Sequence, residues 1–93
     1  MNTIRQQIII LLKKNEQGIR ELSQLVGQKE AEIRGHLPHI KRSMEAQKRT
    51  FKMTPAKCLK CGYEFKSRRR LSAPGRCPLC KDSHIQDPYY RIL

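Results

Sequence analysis

Two Cys-x-x-Cys pairs, Cys58 with Cys61 in "CLKCGYEF" and Cys77 with Cys80 in "CPLC", constrain what this chain can fold into more than any other feature. The pairs are separated by 15 residues. A two-residue gap lets both sulfurs of one turn reach a single ion at about 2.3 Å, so the pattern is that of a tetrahedral four-thiolate site. Gly62, directly after Cys61, suits the positive φ that such a knuckle needs, and Pro78 stiffens the second turn. Four thiolates complete the shell, which leaves His84 as a surface histidine.

Two disulfides are the competing explanation, and the compartment decides between them. The apolar run from Ile8 to Leu12 is too short for a signal-peptide core or for a membrane span of roughly 20 residues, and no small-residue cleavage site follows it. The chain therefore reads as cytoplasmic and not membrane-bound. Thiols stay reduced there, and paired cysteines are more often metal ligands. At 93 residues a hydrophobic core is marginal without a staple, and one metal ion supplies it.

The 47 residues before the second half read as helices. Ile4, Ile8, Leu11 and Leu12 share a face at helical spacing, and Thr3 with Gln6 forms a capping box, giving a helix over about 3–14. Ile19, Leu22, Leu25 and Val26 give a second helix over about 19–26, stopped by Gly27. Ile33, Leu37, Ile40 and Met44 give a third over about 28–47, with a kink or break expected near 35–37 because Pro38 removes a backbone donor. This order is that of a helix-turn-helix, though any three-helix bundle shares it.

Two alternating segments follow. "RTFKM" at 49–53 puts Phe51 and Met53 on one side, and "DPYYRIL" at 87–93 puts Tyr90 and Ile92 on one side. Two strands after a helix-turn-helix form a wing, and these bracket the whole cysteine region. The expected fold is α+β: a small winged helix-turn-helix over 1–54, completed by a strand at 87–93, with a four-cysteine zinc ribbon over 55–86 inserted in the wing. Tyr63 and Phe65 alternate as a further strand packing on the ribbon.

"CGY" and "CPLC" resemble the knuckles of rubredoxins, in which iron carries one electron. Rubredoxins are acidic, with longer spacing between the pairs and a buried tryptophan, whereas this chain carries a formal charge of +12 and no Trp. The expectation is one zinc per chain in a rubredoxin-like shape, with iron as the alternative occupant. Further resemblance lies in "HLPHIKRSM" at 36–44, "PAKCLKCGYEF" at 55–65, "APGRCPLCKDSHI" at 73–85 and "DPYYRI" at 87–92. These stretches resemble archaeal transcriptional regulators that fuse a helix-turn-helix to a zinc ribbon, and the resemblance implies a winged helix, a rubredoxin-like insertion and DNA binding.

Charge points the same way. Lys and Arg number 20 against 8 acids, split as net +3 over 1–47 and net +9 over 48–93, which points to a polyanionic partner such as nucleic acid or an acidic membrane, between which charge alone does not choose. With the apolar stripe inward, the opposite face of the third helix carries Gln28, Ala31, Glu32, Gly35, His39 and Arg42, flanked by Lys29 and Arg34. Gln28 is the candidate for an adenine edge, and Lys29, Arg34 and Arg42 for phosphate or guanine. Glu30 and Glu32 repel phosphate, and a solvated mixed-charge face is the plainer reading of the same residues. In the ribbon, Arg68, Arg69 and Arg70 of "KSRRRLSAPGR" are candidates for phosphate contact.

Double-stranded DNA is thus the expected partner, bound as a homodimer if the chain follows the common helix-turn-helix habit of reading two half-sites. An RNA-binding or protein-docking ribbon is the second class, and a rubredoxin-like electron carrier the third. No enzyme is expected, because the cysteines are committed to a closed metal shell and no set of acid, base and nucleophile stands out.

Overall fold

A computed structural model describes residues 3–68, 70–71 and 73–93. Three helices come first, α1 (Ile4–Lys14), α2 (Ile19–Val26) and α3 (Glu30–Ala46), with a two-residue strand β1 (Gln17–Gly18) between the first two. Strands β2 (Phe51–Thr54), β3 (Lys57–Cys58), β4 (Ile85–Gln86) and β5 (Tyr89–Ile92) follow.

Local chemistry places the helix ends. Thr3 caps α1: its hydroxyl accepts from the Gln6 amide at 3.1 Å, and the Gln6 side chain accepts from the Thr3 amide at 2.9 Å. Gly27 closes α2 at φ 75°, donating to the Ser23 carbonyl at 2.9 Å. The Gln28 amide donates to the same carbonyl at 3.1 Å, and the Ser23 hydroxyl donates to the Gln28 carbonyl.

Two expectations about α3 need correction. The helix begins at Glu30 with Lys29 as its N-cap, so Gln28 lies in the turn and not on the helix face. The expected break does not occur, and α3 runs continuously through Pro38. Pro38 and Arg34, whose carbonyl loses its donor, are both exposed, so water reaches the unsatisfied group. Ile33, Leu37, Ile40 and Met44 on the other side are buried, and that stripe holds the helix against the core on both sides of the proline.

The main sheet has the order β1-β5-β2, all antiparallel. In the pairing of β2 with β5, Phe51 lies opposite Ile92 and Met53 opposite Tyr90, which turns the expected alternation into one apolar face on the helices. Tyr90 and Ile92 are buried with Ile8, Leu12, Ile19, Leu22 and the α3 stripe. The sequence reading missed β1, because two residues are too short for a period to show.

The ribbon, residues 55–88, leaves and returns between β2 and β5. Its base is the short pair β3-β4, with Lys57 opposite Gln86. The strand expected at Tyr63 and Phe65 is reduced to one bridge between Lys57 and Glu64, although the two rings do share a side, edge to face with centroids 4.9 Å apart. Phe65 and Ala56 are buried in the ribbon, outside the helical core.

Among the described residues, Leu71 ties ribbon to core. The Tyr90 hydroxyl donates to the Leu71 carbonyl, and the Leu71 side chain packs on the helical core. Burial raises the Tyr90 pKa well above its ordinary value, so the donor stays protonated. Tyr90→Phe keeps the ring and removes only that donor. Zinc-loaded variant protein is expected to lose about 1 kcal/mol and melt about 4–8 °C lower, read by thermal denaturation.

Candidate metal centre and basic cleft

The four cysteine sulfurs all lie within 4.8 Å of one another, as a group of potential metal ligands. Cys58 and Cys80 stand 3.5 Å apart across the two pairs, as do Cys61 and Cys77. Sulfurs at 2.3 Å from a tetrahedral zinc sit about 3.8 Å from each other, so the donor set fits zinc by number, chemistry and spacing. The four cysteines form a zinc-ribbon metal-binding site, consistent with one zinc per chain.

The two knuckles repeat one backbone design. The Cys58 amide donates to the Tyr63 carbonyl at 2.8 Å and the Gly62 amide to the Cys58 carbonyl at 2.9 Å. Nineteen residues on, Cys77 donates to Asp82 at 2.9 Å and Lys81 to Cys77 at 3.0 Å. Gly62 has φ 82° as expected, and Lys81 takes the equivalent left-handed place at φ 63° without glycine's freedom. The Leu59 amide donates to the His84 carbonyl at 2.9 Å and joins one knuckle to the strand that follows the other.

Amides also set the sulfur chemistry. The Cys61 amide, 3.5 Å from the Cys58 sulfur, is the main cause that lowers the Cys58 pKa to about 6, with the Lys60 amide assisting. At Cys77 burial works upward, but the amides of Cys80 and Leu79 outweigh it and the pKa falls below its ordinary value. For the outer cysteines the balance reverses. The Tyr63 amide draws Cys61 down, yet the proton shared with Cys77, together with burial and Cys58, pushes it up to about 12. The Asp82 amide likewise favours the Cys80 thiolate, and burial and Cys58 override it upward. Amide donors thus favour the thiolate at the inner sulfurs, Cys58 and Cys77, more than at the outer pair, and zinc displaces whatever protons the four cysteines still carry.

His84 is no ligand. It is exposed, with Nδ1 2.6 Å from the Asp82 carboxylate. The His84 amide and ring hold the Asp82 carboxyl below its usual range.

The second feature is a cleft of about 510 Å³ between α3 and the ribbon loop. Arg34, Leu37, Pro38, Lys41, Arg42 and Glu45 line one wall, and Arg70 and Leu71 the other. Among the described residues, none of its four cations is in an ion pair. The structure thus brings together three of the expected DNA-contact residues, Arg34 and Arg42 of the helix and Arg70 of the ribbon. Lys29 and His39 are exposed elsewhere on or beside α3, Gln28 is half-buried in the turn, and Arg68 is half-buried in the loop. Arg69 lies outside the described residues. Lys41 and Leu71 were missed, although Arg34, Pro38, Lys41, Arg42 and Glu45 recur at helical spacing and were legible as a stripe.

Chelation is expected to unravel the ribbon while helical circular dichroism persists, because metal binding is folding energy here. Free thiols near 8.5 are mostly protonated at pH 7.5, so restoring zinc to the unravelled ribbon releases about 4 protons, and a site that stayed folded with its inner sulfurs partly ionised would release fewer, by calorimetry in buffers of different ionisation enthalpy. Acid therefore weakens binding, since each proton competes with the metal. In chelator competition, Gly62→Ala should cost about 1–2 kcal/mol of zinc retention and Lys81→Gly should add about 0.5–1 kcal/mol.

Comparison with known proteins agrees with this architecture. The family model described as "PF0610-like, N-terminal" matches residues 3–52, and that described as "PF0610 rubredoxin-like zinc beta-ribbon domain" matches residues 55–93. The second match includes β5, which pairs with the helical half. None of the curated proteins matches the chain. Among solved structures, the solution NMR structure of protein PF0610 from Pyrococcus furiosus is similar at 28% identity and a TM-score of 0.80, covering 97% of this chain and 88% of that one. A helical half and a zinc ribbon that match these two models in sequence order, over nearly the whole length, make this chain a member of the PF0610-like family.

Proposed function

We propose that the chain is a DNA-binding protein, a transcriptional regulator built as a winged helix-turn-helix whose wing carries the zinc ribbon. The element order supports it: helix, short strand, two helices joined by a tight turn, then β2 and β5, which pair with each other, β5 also pairing with the first strand. In this reading α3 is the recognition helix, and residues 1–54 with 87–93 form one unit around the ribbon at 55–86. Two copies reading two half-sites complete the assembly.

The observation that carries the proposal is the meeting of α3 and the ribbon loop around one cleft, where Arg34, Lys41, Arg42 and Arg70 stand without ion-pair partners among the described residues. The net +3 and +9 halves thereby present one basic surface, as a single polyanion requires. Beside the cleft, a Cβ on Gly35 would meet nothing outside its own stretch of helix within 4 Å among the described residues, so this part of α3 is open to close approach. His39 and Ala31 are exposed with it. No helix of the chain, among the described residues, is long and apolar enough to cross a membrane.

Competition binding tests the reading. Mixed-sequence duplex DNA is expected to outcompete folded RNA at equal phosphate, and the reverse order would favour an RNA-binding ribbon instead. Each lost phosphate contact flattens log affinity against log salt by about 0.9, so replacing Arg68, Arg69 and Arg70 by alanine should lower the slope by about 2–3 and weaken all duplexes alike. His39→Ala should leave the slope nearly unchanged and alter sequence preference by about 1–3 kcal/mol. An unchanged slope in the triple variant would remove the ribbon from the DNA interface.

A further inference from the structure

We propose that the cleft between α3 and the ribbon loop is a binding site for a nucleotide, a ligand that carries phosphates on a flat, hydroxylated body. The volume of about 510 Å³ falls in the range of small-molecule sites, which run from about 300 to 1,000 Å³. Arg34 and Glu45 mark its ends along α3, eleven residues or about 16 Å apart, the length of an extended nucleoside polyphosphate.

The lining divides by chemistry in the way such a ligand divides. Arg34, Lys41, Arg42 and Arg70 offer four cations against one acid, and no ion pair neutralises them among the described residues. A net charge of +3 matches two or three phosphates, and guanidinium groups from opposite walls suit bidentate phosphate binding. Pro38, exposed, and Leu71, half-buried, form an apolar surface over the buried Leu37, which phosphate alone does not need and a base does. Glu45 is the lone acceptor and suits sugar hydroxyls.

The site is also preformed. Leu71 packs on the helical core and its carbonyl is held by Tyr90, so the ribbon wall is fixed to the same core that α3 packs on. Binding then costs little ordering. Occupancy of the cleft does not depend on the DNA reading. Its consequence rests on that reading: the ligand would take the cations that serve DNA phosphate, so nucleotide and DNA exclude one another.

The test uses the full zinc-loaded chain, titrated with ATP and with inorganic triphosphate in magnesium-free buffer, by calorimetry and by amide NMR. ATP should bind about tenfold more tightly than triphosphate, since the base adds apolar burial, and should shift the Leu37, Lys41 and Leu71 amides. Lys41→Ala and Leu71→Ala should each weaken ATP about fivefold or more, whereas Lys13→Ala with Lys14→Ala, equal or larger charge loss at the far end of α1, should change it by about twofold at most. Equal affinity for triphosphate, or an equal loss in the Lys13 and Lys14 variant, would overturn the proposal as mere polyanion attraction. Lys41 is half-buried at the cleft and outside the apolar core, so a folding defect in Leu71→Ala would not shield the claim. ATP binding by a chain that takes up no duplex would leave the cleft assignment standing and sink the DNA reading. Simultaneous binding of ATP and duplex would overturn the exclusion.

Discussion

The antiparallel pairing of β5 with β2 is the constraint on which the rest of the structure depends. It closes an insertion of 34 residues, a loop whose closure costs about 3 kcal/mol in chain entropy beyond a constant term. Burial of Tyr90 and Ile92, each worth about 1.5–3 kcal/mol, offsets that cost. The same pairing delivers two core residues to a helical unit that would otherwise leave Ile8, Leu12 and Leu22 uncovered on one side. It also fixes both ends of the ribbon at neighbouring points, so the cysteine region grows from a rigid base.

Within the ribbon, order comes from hydrogen bonds to backbone and sulfur and much less from apolar packing. Ala56, Phe65 and the two buried cysteines are its small core, too few to stand alone at this length. The repeated knuckle supplies what packing does not. In each pair the first cysteine is buried and collects amides from the turn, and the second faces outward. That arrangement favours thiolate where the metal must be shielded, and leaves the outer sulfurs to release their protons when zinc arrives.

The charge distribution acquires meaning only through this frame. Eleven basic residues in 48–81 would be a solvated coat on a free ribbon. Because Tyr90 and Leu71 hold the ribbon loop to the helical core, Arg70 instead faces the cations of α3 across a cleft. Like charges that line one cleft without ion-pair partners among the described residues repel one another, and a polyanion relieves that repulsion, which is why this surface is the candidate for ligand contact.

By itself the sequence determined the metal centre and the helices. Four cysteines at that spacing admit almost one arrangement, Gly62 announces its own positive φ, and the capping box at Thr3 and the stop at Gly27 act over a few residues, so local chemistry decides them. The stripes Ile33 to Met44 and Phe51 to Met53 likewise show their periods. Tertiary structure decided the rest. β1 is too short to carry a period and exists because β5 offers it an edge. Pro38 breaks no helix because the buried stripe on the opposite side outweighs one lost hydrogen bond, and Lys81 adopts a left-handed conformation because the knuckle demands it. The cleft belongs wholly to this second class: Arg34 and Arg70 lie 36 positions apart in the chain, and only the closure of β5 on β2, with Tyr90 reaching Leu71, brings them to one surface.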